Sequence, residues 1–174
     1  MASDPIQKVR ILQIPFACGE LKDLVDAALD GRGLVTAPSA PCVAIAAKDP
    51  VYTEQLAASK LAIPDSGAMV LMWRLACPKT PLRRMSGLAF LEGILKDPRI
   101  RQPNALLLVD PSIEASKRNQ RFLNYMGIDI KDDDHYVAPM YKPTAVEDPA
   151  LLRRLREKEP RYVLINLGGG IQER

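Results

Sequence analysis

One acidic residue, Asp65, stands where a predicted strand ends and a predicted helix begins. The apolar run at 61–63 predicts a buried strand, Pro64 ends it, and Ser66 can cap a helix that continues through Trp73. In open α/β sheets, ligands bind at the carboxyl ends of strands, where helix N-termini direct backbone N–H groups into a crevice. A carboxylate in this place is a candidate general base. The alternative is that Asp65 only caps its helix or supports the turn.

Other polar residues directly follow or precede predicted elements at the same rim, that is, the edge of the sheet where the strands have their carboxyl ends. Thr36 and Ser39 carry hydroxyl groups in a proline-rich stretch at the end of a short strand predicted at 34–36. If the strands are parallel, this stretch faces the rim that carries Asp65. Arg83 and Arg84 precede a helix N-terminus, where arginines are usually solvated but can also bind a phosphate group together with the helix end.

Three consecutive glycines, at 168–170, follow a buried strand predicted at 161–167. Glycines let a backbone approach a ligand closely and turn N–H groups toward a diphosphate. The sequence has no Gly-x-Gly-x-x-Gly and no Gly-Lys-Ser/Thr, so it contains neither a nicotinamide motif nor a P-loop motif. A buried strand that ends in a glycine turn normally feeds a helix, so we expect that the domain continues beyond Arg174 and is truncated here.

The acidic run and the single histidine have structural alternatives that we favour. Asp132 and Asp134 have the spacing of the metal-binding carboxylate pair in many sugar-nucleotide transferases, but acidic runs in hydrophilic loops are usually solvated. We therefore predict no metal site. A hydrolase triad would have to use His135, yet no Gly-x-Ser-x-Gly elbow is present, which favours a partly buried structural histidine.

Composition restricts the class of protein. The 174 residues, 47% of them apolar and 26% charged, predict one globular domain over 1–174. The net charge of +3 is not concentrated in a basic arm and aromatic residues are only 5%, which argues against a nucleic-acid partner. Cys18, Cys42 and Cys77 are too few and too dispersed for a disulfide framework or a zinc site. No secretory signal or membrane span is evident, so we expect a cytoplasmic protein that could also lie on a membrane surface.

Strand and helix patterns alternate along the chain. This order predicts an α/β fold with a mostly parallel sheet flanked by helices, that is, a Rossmann-like three-layer domain. Asp-Pro pairs, which suit the start of a helix, precede three of the helical patterns, at Asp49, Asp110 and Asp148. The predicted strands are at 9–14, 34–36, 61–63, 104–109, 135–138 and 161–167.

Three short motifs in this order resemble the bacterial WecG/TagA/CpsF glycosyltransferase family. Members of that family have a Pro-Asp-Gly turn, where this chain has Pro-Asp-Ser-Gly at 64–67. They have Glu-Arg-x-x-Gly, where this chain has Arg-Arg-Met-Ser-Gly at 83–87, and Gly-x-Pro-Lys-Gln-Glu, where it has Gly-Gly-Gly-Ile-Gln-Glu at 168–173. The resemblance covers essentially the whole chain, and its specificity lies in the combined order and spacing.

The resemblance implies an inverting, metal-independent transferase without a cofactor. Such enzymes move N-acetylmannosamine or a related hexosamine from a UDP-sugar to a polyprenyl-diphosphate-linked acceptor, for wall teichoic acid, enterobacterial common antigen or capsule. It implies that Asp65 is the general base, that Thr36 lies at the sugar, Arg84 near the diphosphate or acceptor, and Gln172 at the uridine diphosphate. The further substrate-binding candidates are Ser39, Ser66, Gly67, Asp110, Tyr136, Gly168, Gly169 and Gly170. A homo-oligomer is left open.

The chain departs from the family pattern at three places. Pro38 stands where the family usually has asparagine, Asp110-Pro111 replaces a Gly-Gly turn, and Gly170-Ile171 replaces Pro-Lys. An acid at position 110 would repel a diphosphate unless it caps its own helix. One alternative is therefore a diverged nucleotide or sugar-nucleotide binding module of the same fold. A Rossmann-like enzyme of other chemistry is a further alternative, disfavoured by the missing dinucleotide motif.

Overall fold

The computed structural model describes residues 6–80, 82–142 and 146–173, and the chain falls into two compact units. The first unit contains the chain up to Ile94 together with Glu173, and the second contains residues 95–172. Each unit has its own sheet. The prediction of one domain over 1–174 stays a prediction.

The first unit contains a four-stranded sheet with the order β1-β2-β4-β3. Its strands are β1 (Gln7–Ile11), β2 (Ile14–Cys18), β3 (Val35–Thr36) and β4 (Leu61–Ala62). The β1 and β2 pair is antiparallel, whereas β4 is parallel to both β2 and β3. The helices that follow these strands are α1 (Leu21–Leu29), α2 (Ala40–Ala46), α3 (Pro50–Ala57), α4 (Gly67–Ala76) and α5 (Gly87–Lys96).

A tight hairpin stands where the sequence predicts one strand at 9–14. Leu12 and Gln13 form the turn with φ values of 49° and 67°, and Ile11 pairs with Ile14 across it. Two central residues with positive φ match the twist of a hairpin, but asparagine and glycine are the usual occupants of such a turn. The prediction is wrong here because the pair Leu-Gln carries no turn signal.

The second unit contains three parallel strands in the order β6-β5-β7. The central strand β5 (Leu106–Asp110) is buried at every position and lies between β6 (His135–Val137) and β7 (Tyr162–Ile165). Along the chain, α6 (Ile113–Tyr125) lies between β5 and β6, and α7 (Pro149–Lys158) lies between β6 and β7. Short 3-10 helices lie at Pro98–Arg101 and Asp132–Asp134. A continuous apolar run favours such a central parallel strand because both of its faces are covered.

Two of the three Asp-Pro predictions are confirmed and one is wrong. The carboxylates of Asp49 and Asp148 accept the backbone N–H groups of residues three positions further on, at 3.0 and 2.9 Å, and so cap α3 and α7. Asp110 instead ends β5, and Ser112 caps α6 by accepting from Ala115 N at 3.2 Å. A serine two residues after the acid was the better cap because the backbone is still extended there.

The predicted fold class is confirmed. Parallel strands alternate with helices, as in Rossmann-like α/β proteins, and β1 with β2 is the antiparallel exception among the described strands. The strands form two sheets, whereas the sequence predicted one. Across the described ranges, every helix is too short or too polar to cross a bilayer.

Candidate functional site

The Asp65 carboxylate lies at the N-terminus of α5. Its Oδ1 accepts the backbone N–H of Gly87 at 3.0 Å and is 3.5 Å from Nη2 of Arg84. Arg84 also donates from Nε to the Asp65 carbonyl at 2.8 Å, so it holds the backbone as well as the side chain. The other carboxylate oxygen, Oδ2, makes no hydrogen bond within the described ranges. Because 31% of the side chain is exposed, a ligand can reach it from solvent.

Gly87 allows this close approach. A Cβ atom at this position would lie 3.2 Å from Cβ of Ala37 and 3.4 Å from Oδ2 of Asp65. The first distance is tighter than ordinary packing allows, so a side chain would displace the residue that follows β3, or α5 itself. The glycine thus brings the ends of β3 and β4 and the start of α5 into contact, as the parallel pairing predicts.

Ser66, and not Asp65, caps α4. The Ser66 hydroxyl accepts the Met69 N–H at 3.2 Å. The capping alternative for Asp65 therefore does not hold for its own helix, although Asp65 does bind the first residue of α5. Gly67 lies beside the Arg84 side chain, because a Cβ there would meet Cδ of Arg84 at 3.6 Å. Asp65, Ser66, Gly67 and Arg84, all predicted from sequence, thus form one cluster.

The candidate hydroxyl residues Thr36 and Ser39 have protein partners. Thr36 is 7% exposed, and its Oγ1 lies 3.4 Å from the Ser59 hydroxyl. Ser39 donates to Sγ of Cys42 at 3.2 Å. Thr36 is the last residue of β3 and Ser39 lies on the segment that follows, as expected, but the structure does not turn either hydroxyl toward Asp65 in a hydrogen bond. Their contact with sugar stays a prediction.

A buried polar network surrounds Asp110 in the second unit. Its side chain is wholly inaccessible, and Oδ1 accepts from Nδ2 of Asn119 at 2.7 Å and from Nδ2 of Asn166 at 2.8 Å. Nδ1 of His135 lies 3.4 Å from Oδ2 and 2.7 Å from the Ser116 hydroxyl. The network joins β5 to α6, β6 and the residue that follows β7.

Sequence reasoning missed most of this network. Asn166 is an amide between apolar residues at the end of a strand, and this was the signal available. Asn119 stands between Arg118 and Gln120 on α6, where nothing in the sequence marks it. The mainly buried His135 fits the structural histidine that we favoured. The Asp110 carboxylate already has protein hydrogen-bond donors around it, so it supports the turn after β5. A direct contact between Asp110 and substrate stays a prediction.

Tyr136 donates to both carboxylate oxygens of Asp148 at 2.8 Å, and Tyr141 donates to one of them at 2.5 Å. Burial, and then the bond to Asp148, raises the pKa of Tyr136 to about 12 and also raises that of Tyr141. Burial opposes ionisation of Asp148, but the bonds from Tyr141, Leu151 N and Tyr136 outweigh it and lower its pKa. The predicted ligand residue Tyr136 therefore also anchors the start of α7.

The glycine segment after β7 forms a compact turn. The carbonyl of Gly168 accepts from Ile171 N at 3.1 Å and from Gln172 N at 3.3 Å, and Gly170 has a φ of +87°. Gly170 is thus required by the backbone, whereas a Cβ at Gly168 would meet nothing within 4 Å. Gln172 is half-buried within this turn. Its contact with a nucleotide stays a prediction.

The acidic run at 132–134 is engaged with basic and amide side chains. Asp133 contacts Nζ of Lys158 at 2.6 Å and Nη2 of Arg154 at 3.0 Å, and these two cations, Lys158 first, lower the pKa of Asp133. Asp134 lies 3.2 Å from the same lysine, and Asp132 accepts from Gln120. Among residues 6–80, 82–142 and 146–173, no three His, Cys, Asp or Glu side chains cluster in a way that could hold a metal ion.

Comparison with known protein families gives a match over nearly the whole chain. The model described as the glycosyl transferase WecG/TagA/CpsF family matches residues 9–174, which is nearly the whole chain. A search of curated proteins found no match. The family match covers Asp65, Arg84 and the glycine turn at 168–172 alike.

Proposed function

Because the chain belongs to the WecG/TagA/CpsF family of glycosyltransferases, we propose that it transfers an N-acetylhexosamine from a UDP-sugar to a polyprenyl-diphosphate-linked acceptor. The family supports hexosyltransferase activity in the synthesis of cell-surface polysaccharides. The donor, resembling UDP-N-acetylmannosamine, and the lipid-linked acceptor are our extension of that membership. The observation that carries the proposal is the partly exposed Asp65 carboxylate, which is held at the start of α5 by the Gly87 N–H.

The proposed reaction is a single displacement with inversion. The acceptor hydroxyl oxygen bonds to the anomeric carbon while the bond from that carbon to the diphosphate oxygen breaks. The hydroxyl proton passes to Oδ2 of Asp65, which has no other hydrogen bond among the described residues, and UDP departs with the electron pair. Gly87 and Arg84 hold Oδ1 and the Asp65 backbone, so the base is oriented before the acceptor binds.

Stabilisation of the leaving group needs positive charge or N–H donors. Arg84 is the candidate in the first unit, because 57% of its side chain is exposed and available to an anionic group. In the second unit, we propose that the glycine turn and Gln172 bind the uridine diphosphate, since an amide offers a donor and an acceptor together. Tyr136, Thr36 and Ser39 are proposed to complete the substrate contacts.

We propose further that transfer needs no metal ion and that the protein works at the cytoplasmic face of a membrane. The proposal of metal independence is supported by the partners of the candidate metal pair, because Lys158 contacts Asp134 and the Gln120 amide donates to Asp132. The proposal for location follows from the lipid-linked acceptor.

A second candidate function is a binding module that holds a sugar nucleotide without turnover. Asp110 favours it, because a buried acid with amide partners stands where the family has a Gly-Gly turn. Pro38, which replaces the usual asparagine after Thr36, favours it also.

Titration calorimetry with UDP, then with UDP-hexosamines, tests both proposals when it is combined with a transfer assay on a short-chain lipid-diphosphate acceptor. Binding with transfer supports the enzyme. Binding without transfer supports the module. Absence of UDP binding would contradict both.

A further inference from the structure

Helix α4 exposes a row of large apolar side chains. Leu71, Met72 and Leu75 are 60%, 64% and 77% exposed. Residues spaced by three and four positions lie on one face of a helix, so the three side chains form a continuous apolar strip, which we call the α4 face. Large apolar side chains that are clustered on a surface mark an interaction site more often than scattered ones do.

An apolar groove borders the α4 face. It has a volume of about 360 Å³ and lies between the β1–β2 turn, α2 and α4. Its walls include Leu12, Val43, Met72 and Trp73, and Leu12 is itself 45% exposed. The groove reaches Ser66, the residue after Asp65, so the apolar surface continues to the candidate catalytic residue.

The charged residues of the segment that contains α4 all have one sign. From Ser66 to Leu91 the sequence contains no aspartate or glutamate. The same stretch contains four basic residues, Arg74, Lys79, Arg83 and Arg84, and all four are exposed. Arg74 belongs to α4 itself and Lys79 follows it closely. Arg83 and Arg84 contact Glu20 and Asp65, whereas Arg74 and Lys79 lie on or next to the α4 face itself. An apolar strip with adjacent cations is complementary to a surface with an apolar interior and anionic head groups.

We propose that the α4 face docks on an anionic lipid bilayer. The two leucines and Met72 enter the boundary between head groups and acyl chains, and Arg74 and Lys79 bind the anionic head groups. Asp65, at the other end of the groove, is then presented to the membrane surface. The purpose of this docking rests on the proposed function, because a lipid-linked acceptor is held in that surface.

A second copy of the chain is the alternative occupant. Charge argues against it, because a symmetric pair of α4 faces would bring the cations of both copies together without an acid from the stretch between Ser66 and Leu91. An anionic bilayer has the opposite charge and does not have this cost.

Vesicle flotation tests the proposal directly, without any substrate. The protein is mixed with phosphatidylcholine vesicles, or with vesicles of phosphatidylcholine and phosphatidylglycerol in equal parts. We expect binding to the anionic vesicles only, falling as salt is added. The double variant Leu71→Ser/Leu75→Ser should lower partitioning at least about tenfold, since two leucines lose their burial in lipid.

Matched controls come from α7, where Leu152 is 52% exposed and the Arg153 side chain is 74% exposed. Leu152→Ser should leave partitioning unchanged. Lys79→Gln should lower it about fivefold and Arg153→Gln should not, because each basic residue near the surface contributes about 1 kcal/mol. The charge variant alters an exposed side chain, so it tests the proposal even if the serine variant folds poorly.

The proposal would be overturned if the α4 and α7 variants partitioned equally into anionic vesicles, or if the parent chain did not bind them. A dimer in sedimentation experiments that Leu71→Ser/Leu75→Ser dissolves would also overturn it, if vesicles are not bound. Failure of the proposed function is distinguishable, because UDP titration and transfer to a short-chain acceptor in solution do not use vesicles. If the chain floats with vesicles but transfers no sugar, the docking surface is supported and the proposed transferase function is contradicted.

Discussion

The backbone N–H of Gly87 donates to Oδ1 of Asp65 at 3.0 Å, across 22 positions of sequence. This bond joins the turn after β4 to the first residue of α5. It explains why a Pro-Asp turn and an Arg-x-x-Gly segment occur together in this chain, since the arginine and the glycine of the second motif both contact the aspartate of the first. Three of the five predictions below concern the residues of this cluster, Asp65, Arg84 and Gly87.

Gly87→Ala is expected to impair both stability and transfer. The new methyl group would lie 3.2 Å from Cβ of Ala37 and 3.4 Å from Oδ2 of Asp65, so the carboxylate or α5 must move. Overpacking of this kind costs about 1–3 kcal/mol of unfolding free energy. Displacement of a catalytic group by about 1 Å can cost about a hundredfold in rate. Urea unfolding and initial rates of transfer measure the two effects.

Gly67→Ala is the matched control, because Gly67 is also the first residue of a helix. Its Cβ would meet Arg84 at an ordinary contact distance of 3.6 Å. We expect little loss of stability or rate. Equal loss in the two variants would show that helix propensity, and not the approach to Asp65, sets the requirement for Gly87.

Arg84→Ala should lower kcat by about a hundredfold to a thousandfold, the scale reported for one lost donor to developing negative charge. Arg83→Ala should change kcat less than about threefold, because the Arg83 to Glu20 pair is 3.4 Å long with both side chains about four-fifths exposed. The comparison separates a positioned arginine from a solvated one. Similar kinetics for both variants would remove Arg84 from the site.

Asp148→Asn tests the anchor of α7 through its pH dependence. The folded protein lowers the pKa of Asp148 below its usual value of 3.8, so the carboxylate stabilises the fold above about pH 4 and loses that effect as pH falls through the folded pKa. The variant should therefore be less stable by about 1–3 kcal/mol at neutral pH, and the difference should shrink in acid. Urea unfolding at a series of pH values measures it. A difference that is independent of pH would contradict the assignment.

Excess EDTA is expected to leave transfer unchanged. The carboxylates of Asp133 and Asp134 already contact Lys158 or Arg154, which compete with a divalent ion for the same oxygens. Asp132→Asn is a second test, since it removes one of the two candidate ligands without touching those ion pairs, and it should also leave transfer unchanged. Loss of transfer in EDTA with rescue by Mn²⁺ would assign the run a catalytic metal.

The local features that were predictable are those with a short-range cause. Buried strands such as β5, the caps Asp49 and Asp148, and the cap Ser66 depend on residues within a few positions, and the structure confirms them. The hairpin at Leu12 was missed because its turn residues are atypical and the pairing of its strands determines their φ values.

The partners of the site residues were not predictable, because they are distant in sequence. Nothing near Asp65 indicates that its carboxylate binds Gly87, and nothing near Asp110 indicates that Asn166, 56 positions away, donates to it. Sequence periodicity places a residue on an element but does not give the pairing of elements. The cap assigned to Asp110 was wrong for this reason, since tertiary partners outcompeted the local N–H groups.

Asp65→Asn is the most direct test of the proposed transferase. The asparagine oxygen can still accept the Gly87 N–H, so the fold and the affinity for UDP should be preserved, while the group that takes the acceptor proton is lost. We predict that kcat falls by about a hundredfold to ten-thousandfold, with Tm and the Kd for UDP nearly unchanged. A variant that keeps its transfer rate but melts at a clearly lower temperature would show that Asp65 is structural and contradict the account.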